Sequence, residues 1–485
     1  MLAAQLTQIA DCAILSHNVM VFTSAVFLGV FLPLLFATYF LANHAARPYV
    51  LLLFSLAFYA WGEPSAVVVM VGLMVANYLL ALALSATARR RRAATALLAL
   101  GVVLDLGALV AYKYLGFLAA NLLPLLRPLG VALPVPEIAL PIGISFYVFQ
   151  IVSYLVDVFR GDVAAQRNPF KFMLYVSLFP QLIAGPIVRY ATIARDIENR
   201  AADFENIVAG IRRFSLGLAK KVLIADAMAT MVDVIFASPV RDLSCAYCWL
   251  GAVAYALQIY FDFSGYSDMA IGLGRIFNFR FLENFDHPYS ACSVQEFWRR
   301  WHISLSTWFR DYLYIPLGGN RRGTARTYLN LLVVFLLCGV WHGAAWNFVA
   351  WGAYHGLGLV VERLGFGKAL KRLPRPVGNL YLLLFVIVGW VIFRAPDLGY
   401  AVGYLGNMFG GSEAGFRSFV GSLQFVTLDK LLFLAVGCVA AYPVFDPLVR
   451  RVPEALRLVC GGAFFLVVTV LALTSGYSPF IYFRF

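Results

Sequence analysis

Charge is what this chain has least of. Of its 485 residues only 13% are Asp, Glu, Lys or Arg, and 62% are hydrophobic. Soluble domains carry about 25% charged residues, so a soluble globular fold is excluded. Ten-residue stretches of alternating polarity are absent, which argues against an outer-membrane barrel. Residues 1–19 lack a basic start and carry Asp11 and His17, so they do not read as a signal peptide. Met20-Val21-Phe22-Thr23-Ser24 is a cleaner beginning, and 1–19 are expected to be a leader or the product of a mis-assigned start. The seven cysteines are scattered. Cys245 and Cys248 form a lone Cys-x-x-Cys without a second pair or a nearby histidine, a weak basis for metal or redox chemistry. Gly272-Leu273-Gly274 lacks the further glycine and the strand of a dinucleotide fingerprint. Walker, His-Glu-x-x-His and Gly-x-Ser-x-Gly motifs are missing, which leaves nucleotide hydrolysis, zinc peptidase and hydrolase-elbow chemistry unsupported. No repeat, low-complexity tract or detachable soluble domain is visible.

Long apolar runs are what remains. A helix needs about 20 apolar residues to cross the hydrocarbon core, and the runs here predict an all-α, polytopic membrane protein with roughly ten to twelve spans. Residues 20–485 are expected to form a single membrane domain. The first three runs are Phe22–Leu41, Tyr49–Trp61 and Ser65–Ser85. Arg89-Arg90-Arg91-Arg92 follows, the densest charge run in the chain. The net charge of +13 fits the collection of Lys and Arg on the cytoplasmic side better than it fits nucleic acid. Counting back from a cytoplasmic tetra-Arg run places the N-terminus outside. Further apolar helices are expected near 94–112, 140–159, 170–184, 249–263, 380–393, 431–444 and 458–473, with a long apolar stretch over Tyr328–Val361. Arg212, Arg213, Lys220 and Lys221 are expected to flank a helix.

Six histidines are few enough to weigh singly. His17 and His44 lie at the N-terminal edge, and His287 precedes Pro288 in a polar loop. His342 lies in Trp341-His342-Gly343-Ala344-Ala345. Beyond Asn330, as far as Val361, the clearly polar side chains are His342, Asn347 and His355. An ionisable residue inside a span is costly and marks a functional candidate. A neutral imidazole can take a proton from a hydroxyl, the task of a general base. The alternative is a structural histidine bonded to a neighbouring helix. His302 sits in Phe297-Trp298-Arg299-Arg300-Trp301-His302 and the residues to Tyr312. There Trp298, Trp301, Leu305, Trp308 and Tyr312 follow the spacing of one helix face. Aromatic residues on one side and Arg299, Arg300 and Arg310 elsewhere suit a helix at the membrane interface. His355 is thirteen residues beyond His342 and on a continuous helix points elsewhere; a structural role is expected for it.

The run from Phe297 through Arg310-Asp311-Tyr312-Leu313-Tyr314-Ile315-Pro316-Leu317-Gly318-Gly319 resembles the signature of the membrane-bound O-acyltransferase superfamily. Trp341-His342-Gly343 is similar to its second histidine motif. Tyr260-Phe261-Asp262-Phe263-Ser264-Gly265-Tyr266-Ser267-Asp268, the opening at Met20 and the tail Tyr482-Phe483-Arg484-Phe485 resemble the family too. Within the superfamily the likeness is to the bacterial alginate O-acetyltransferase group, with relatives acting on peptidoglycan and teichoic acid. The resemblance implies a helical fold around a central tunnel, His342 as catalytic residue and His302 as its support. It implies acetyl-CoA as donor, presented from the cytoplasm of a bacterial inner membrane. No metal and no permanently bound cofactor are implied. Arg299, Arg300 and Arg310 would attract the donor's phosphates or anchor the helix to anionic membrane lipid. The segment 397–424 is too short and Gly-rich for an extracytoplasmic domain, so a separate extracytoplasmic acetyl-handling partner is expected. The competing class is a transporter without chemistry, and the two histidine motifs speak against it.

Overall fold

The computed structural model describes residues 20–126, 128, 138–198, 203–412, 426–445, 447, 451–474 and 480–481. The expected leader 1–19, residues 413–424 of the 397–424 segment and the Tyr482–Phe485 tail lie outside them. All regular structure among the described residues is helical. The helices that carry the argument are α1 Leu32–Leu41, α2 Arg47–Gly62, α3 Pro64–Ala86, α4 Arg91–Leu109, α5 Ile144–Arg160, α6 Pro169–Ser177 and α7 Phe204–Ala219. They continue as α8 Asp226–Ala237, α9 Cys245–Ile276, α10 Val294–Arg300, α11 Ile303–Phe309, α12 Thr324–His342, α13 Trp346–Val361 and α14 Arg375–Arg394.

Local chemistry sets many of the boundaries. Pro64 opens α3 and prolines stand in the first turn of α2, α6 and α14, where the missing N–H costs nothing. Asn168 caps α6 by accepting from the N–H groups of Phe170 and Lys171. Gly161 ends α5 in the left-handed region at φ 81°.

The chain forms two compact units. The first comprises Met1–Leu218, Tyr266–Leu282 and Phe464–Arg484, as far as these are described; the second comprises Ala219–Gly265 and Glu283–Ala463. In the first, α5 packs between α3, α4 and neighbouring helices and buries nearly all of its residues. It reads as a span by composition, yet it is wrapped in protein. Asn77 on α3 donates to Asp105 on α4 at 2.7 Å, tying two apolar helices with a buried polar bond. Phe22 packs on Phe27, Phe58 and Tyr266, so the opening at Met20 is seated in this core. In the second unit, α10 to α14 and the first part of α9 surround the two histidine motifs.

Four described helices are long and apolar enough to cross a membrane: Pro64–Ala86, Arg91–Leu126, Thr324–His342 and Arg375–Arg394. Phe27–Leu41 and Val459–Thr474 are shorter apolar helices. Many large apolar side chains face outward, among them Leu53, Val68 and Val103 at 66%, 74% and 68% exposure. In water such surface is unfavourable, whereas in a bilayer it is the expected face of a helix whose backbone groups are satisfied internally.

The basic residues expected to flank a helix lie within one. α7 runs through a π-turn at Lys220–Ala225 into α8. Lys221 is 2% exposed and is held by Asp226 and Asp262, each at 2.7 Å. A buried ammonium needs such partners, and one of them sits on α9, remote in sequence. Arg213 is paired in the same way with Asp268 at 2.7 Å.

Candidate active site

The long apolar stretch expected over Tyr328–Val361 folds back on itself. His342 is the last residue of α12, and Gly343 and Ala345 are extended, at φ −165° and −151°. Helix α13 then returns antiparallel against α12. The turn needs a glycine because a Cβ on Gly343 would meet the Phe348 ring at 2.1 Å. The two helices touch backbone to backbone. A Cβ on Gly339 would meet the Phe348 carbonyl oxygen at 2.2 Å, and one on Gly352 would meet that of Phe335 at 2.3 Å. His342 and His355 therefore stand on different helices, not on one continuous helix. The His342 ring is buried among Trp341, Trp351 and Phe393, with ring centroids 4.9, 5.1 and 5.3 Å away.

The aromatic helix expected through Phe297–Tyr312 is also broken. Trp301 is extended, and His302 takes the left-handed conformation at φ 45°, ψ 54°. A non-glycine residue there is strained by about 1–3 kcal/mol and needs surroundings that impose the geometry. Asn284 supplies them. Its carbonyl accepts from the Ile303 N–H at 2.9 Å. Its Oδ1 accepts from the Ser304 N–H at 3.2 Å and the Ser304 hydroxyl at 2.9 Å. A backbone N–H can only donate, so the atom facing it is the amide oxygen and not the NH₂. The same oxygen lies 3.1 Å from His302 Nδ1, which must then donate to it. The proton sits on Nδ1 and the lone pair is left on Nε2. Complete burial pushes the His302 imidazole down to about 3, so it is neutral at physiological pH.

The edge-on Phe263 ring lies 4.6 Å from His302 and follows Asp262, the partner of Lys221, on α9. The Trp341 ring lies 6.2 Å from His302 and 4.9 Å from His342, so one indole separates the two histidines that the motifs single out. His355 is fully buried and accepts from the Trp298 indole N–H at 3.2 Å. Trp298, Trp301, Leu305 and Trp308 are buried by protein, while Arg299 and Arg310 are exposed.

Of the three candidate arginines, Arg300 is tied to Glu296 at 2.8 Å. Arg310 is paired with Asp311 and lines an open cavity of about 530 Å³ with Arg321, Arg322, Gly318 and Gly319. Arg299 lines a separate cavity of about 570 Å³ with Arg363, Lys368 and Lys371. Asn284 and Lys221 carry the architecture of this region without standing out in the sequence. Asn284 lies outside every motif the sequence singles out, and Lys221 reads there only as a helix flank.

Comparison with known proteins follows the same residues. Residues 161–398 match the model of the MBOAT, membrane-bound O-acyltransferase family. The chain is 47% identical over 391 residues to a probable alginate O-acetylase of Azotobacter vinelandii, covering 80% of this chain and 78% of that protein. It is 41% identical over 488 residues to a probable alginate O-acetylase of Pseudomonas putida, covering 96% and 100%. A peptidoglycan O-acetyltransferase of Helicobacter pylori is 37% identical over 434 residues, covering 82% and 81%.

Proposed function

This chain belongs to the membrane-bound O-acyltransferase family and is an acyltransferase, and from that premise we propose that it carries acetyl groups from cytoplasmic acetyl-CoA to a cell-envelope glycan. An alginate-like exopolysaccharide is the acceptor favoured by the relatives' names, with peptidoglycan second. The observation that carries the reading is the pair of buried imidazoles on either side of Trp341. In this scheme His342 takes the proton of an acceptor hydroxyl, the oxygen attacks the acetyl carbon, and the C–S bond breaks to release the CoA thiolate, which recovers a proton. His302, fixed in one tautomer by Asn284, positions the acceptor or His342 through Trp341. The Arg310 cavity, with Arg321 and Arg322, suits the donor's phosphates; Arg300 is engaged with Glu296 and is less available.

The protein would sit in the bacterial inner membrane with its N-terminus outside and Arg89–Arg92 inside. A bulky hydrated polymer does not enter a membrane protein easily, so an extracytoplasmic acetyl-handling partner would complete the transfer. The test is His342→Ala at matched membrane protein level. Loss of a general base costs about 10²- to 10⁴-fold in turnover. Undiminished ester-linked acetate on the extracted glycan would refute the assignment. Reconstitution in liposomes, with acetyl-CoA on one side and polymer on the other, tests the partner; acetylated polymer with this chain alone would show that none is needed.

A further inference from the structure

The cavity of about 570 Å³ that Arg299 lines is built differently from the other. Its cations are Arg299, Arg363, Lys368 and Lys371, all exposed, and among the described residues none of them forms a salt bridge. Its two carboxylates are engaged. Glu296 holds Arg300, and Glu362 accepts from the backbone N–H groups of Val294 and Gln295 at 2.6 and 3.0 Å. The cavity is therefore a cationic cup whose acids are already spent on the protein.

Its position follows from the hairpin. Helices α12 and α13 are antiparallel, so Arg321 and Arg322 before α12 and Arg326 in its first turn lie at the same end as Arg363, Lys368, Lys371 and Arg372 after α13. The opposite end, Gly343–Ala345, is uncharged. By the asymmetry of Lys and Arg the basic end faces the cytoplasm. Beside the cup, Leu364, Phe366 and Leu373 are 66%, 41% and 46% exposed. Cations next to exposed apolar side chains, at the end of a hairpin whose α12 is long and apolar enough to cross a membrane, match one chemistry: a phosphate with hydrocarbon attached. Toward His342 the way along α13 is filled. Trp351 lies 4.8 Å from His355 and 5.1 Å from His342, and Trp298 packs on both Trp351 and His355. A ligand in the cup thus faces the lipid interface and not the imidazole.

We propose that this cavity is a binding site for the phosphate headgroup of an anionic phospholipid of the cytoplasmic leaflet. The soluble nucleotide phosphates of the donor share the same anionic chemistry, and the experiment separates the two sources. The full-length protein is purified in neutral detergent. Native mass spectrometry then measures binding of phosphatidylglycerol against phosphatidylcholine, for wild type, R363Q/K368Q/K371Q and the control R321Q/R322Q. Each cation near a headgroup contributes about five-fold in affinity. The triple variant is expected to lose about a hundred-fold of phosphatidylglycerol binding, with the control close to wild type and phosphatidylcholine unaffected. Equal losses in the two variants would mean diffuse attraction and overturn the proposal. So would displacement of bound lipid by 3′,5′-adenosine bisphosphate, which would give the cup to the donor. If the triple variant is not monodisperse, Arg363→Gln and Lys368→Gln are measured singly, and binding at the wild-type level in both overturns it. The readout is lipid occupancy, so it stands or falls independently of acetyl transfer.

Discussion

Gly339→Ala is the most direct test of the hairpin that carries His342. The added methyl would stand 2.2 Å from the Phe348 carbonyl oxygen and 3.1 Å from the Gly352 Cα. Both are backbone atoms, so no side chain can swing away. Restoring ordinary contact requires α12 and α13 to part by about 1 Å, a strain of the kind that costs about 1–3 kcal/mol when a packed core is overfilled. His342 lies one turn further along α12 and must move with it. A displacement of that size at a catalytic group costs about 10²-fold in rate. The assay is acetyl-CoA-dependent ester formation per folded protein, with folded protein measured by fluorescence-detected size exclusion. Gly72→Ala is the control: a Cβ there meets nothing within 4 Å, and replacing a helical glycine is neutral or mildly stabilising. If Gly339→Ala turns over like wild type with an unchanged melting temperature, the close approach of the helices is not what positions His342.

Lys221→Met leaves Asp262 buried without its cation, and removing one partner of such a pair costs about 3–5 kcal/mol; a melting temperature within a degree of wild type contradicts the pairing. The His302 pKa lies near 3 in the fold and at 6.5 in an exposed histidine, so the fold favours the neutral ring. Its contribution to stability is complete above pH 6.5 and is lost as pH falls from 6.5 toward 3. The fall in melting temperature on acidification from pH 6.5 to 4.5 should be shallower in His302→Gln, and an identical slope would show that His302 is not the group responsible. A cysteine placed at Ala88 should be shielded from a membrane-impermeant maleimide in intact cells and one at Glu63 labelled; the reverse pattern inverts the topology.

The membrane class and the two histidine motifs were legible in the sequence because charged residues are scarce and the six histidines are few enough to weigh singly. What was not legible depends on partners far along the chain. Gly343-Ala344-Ala345 reads as small residues within a helix until the Phe348 ring is found filling the space a Cβ would need. Nothing local to Trp301-His302 announces a break, because the force that makes it comes from Asn284. The basic pair Lys220-Lys221 looks like a helix flank. Asp262, on α9, joins Asp226 in making Lys221 an interior residue.

Both histidines stand where a helix stops, and this is how the proposed chemistry would be held in an apolar chain. In the interior of a long helix an imidazole can only point sideways, and its aim shifts with every small rotation of the helix. At a helix boundary the backbone itself is fixed by other groups. His342 is clamped by a glycine-lined hairpin whose two strands of backbone are in contact. His302 is held in a strained left-handed conformation by one asparagine bonded to the two residues that follow it and to its own ring. Strain of this kind survives only where the surroundings over-determine it. Its return is an imidazole whose position and tautomer are set by the fold, and in the proposed mechanism little of the substrate's binding energy would be needed to organise the site.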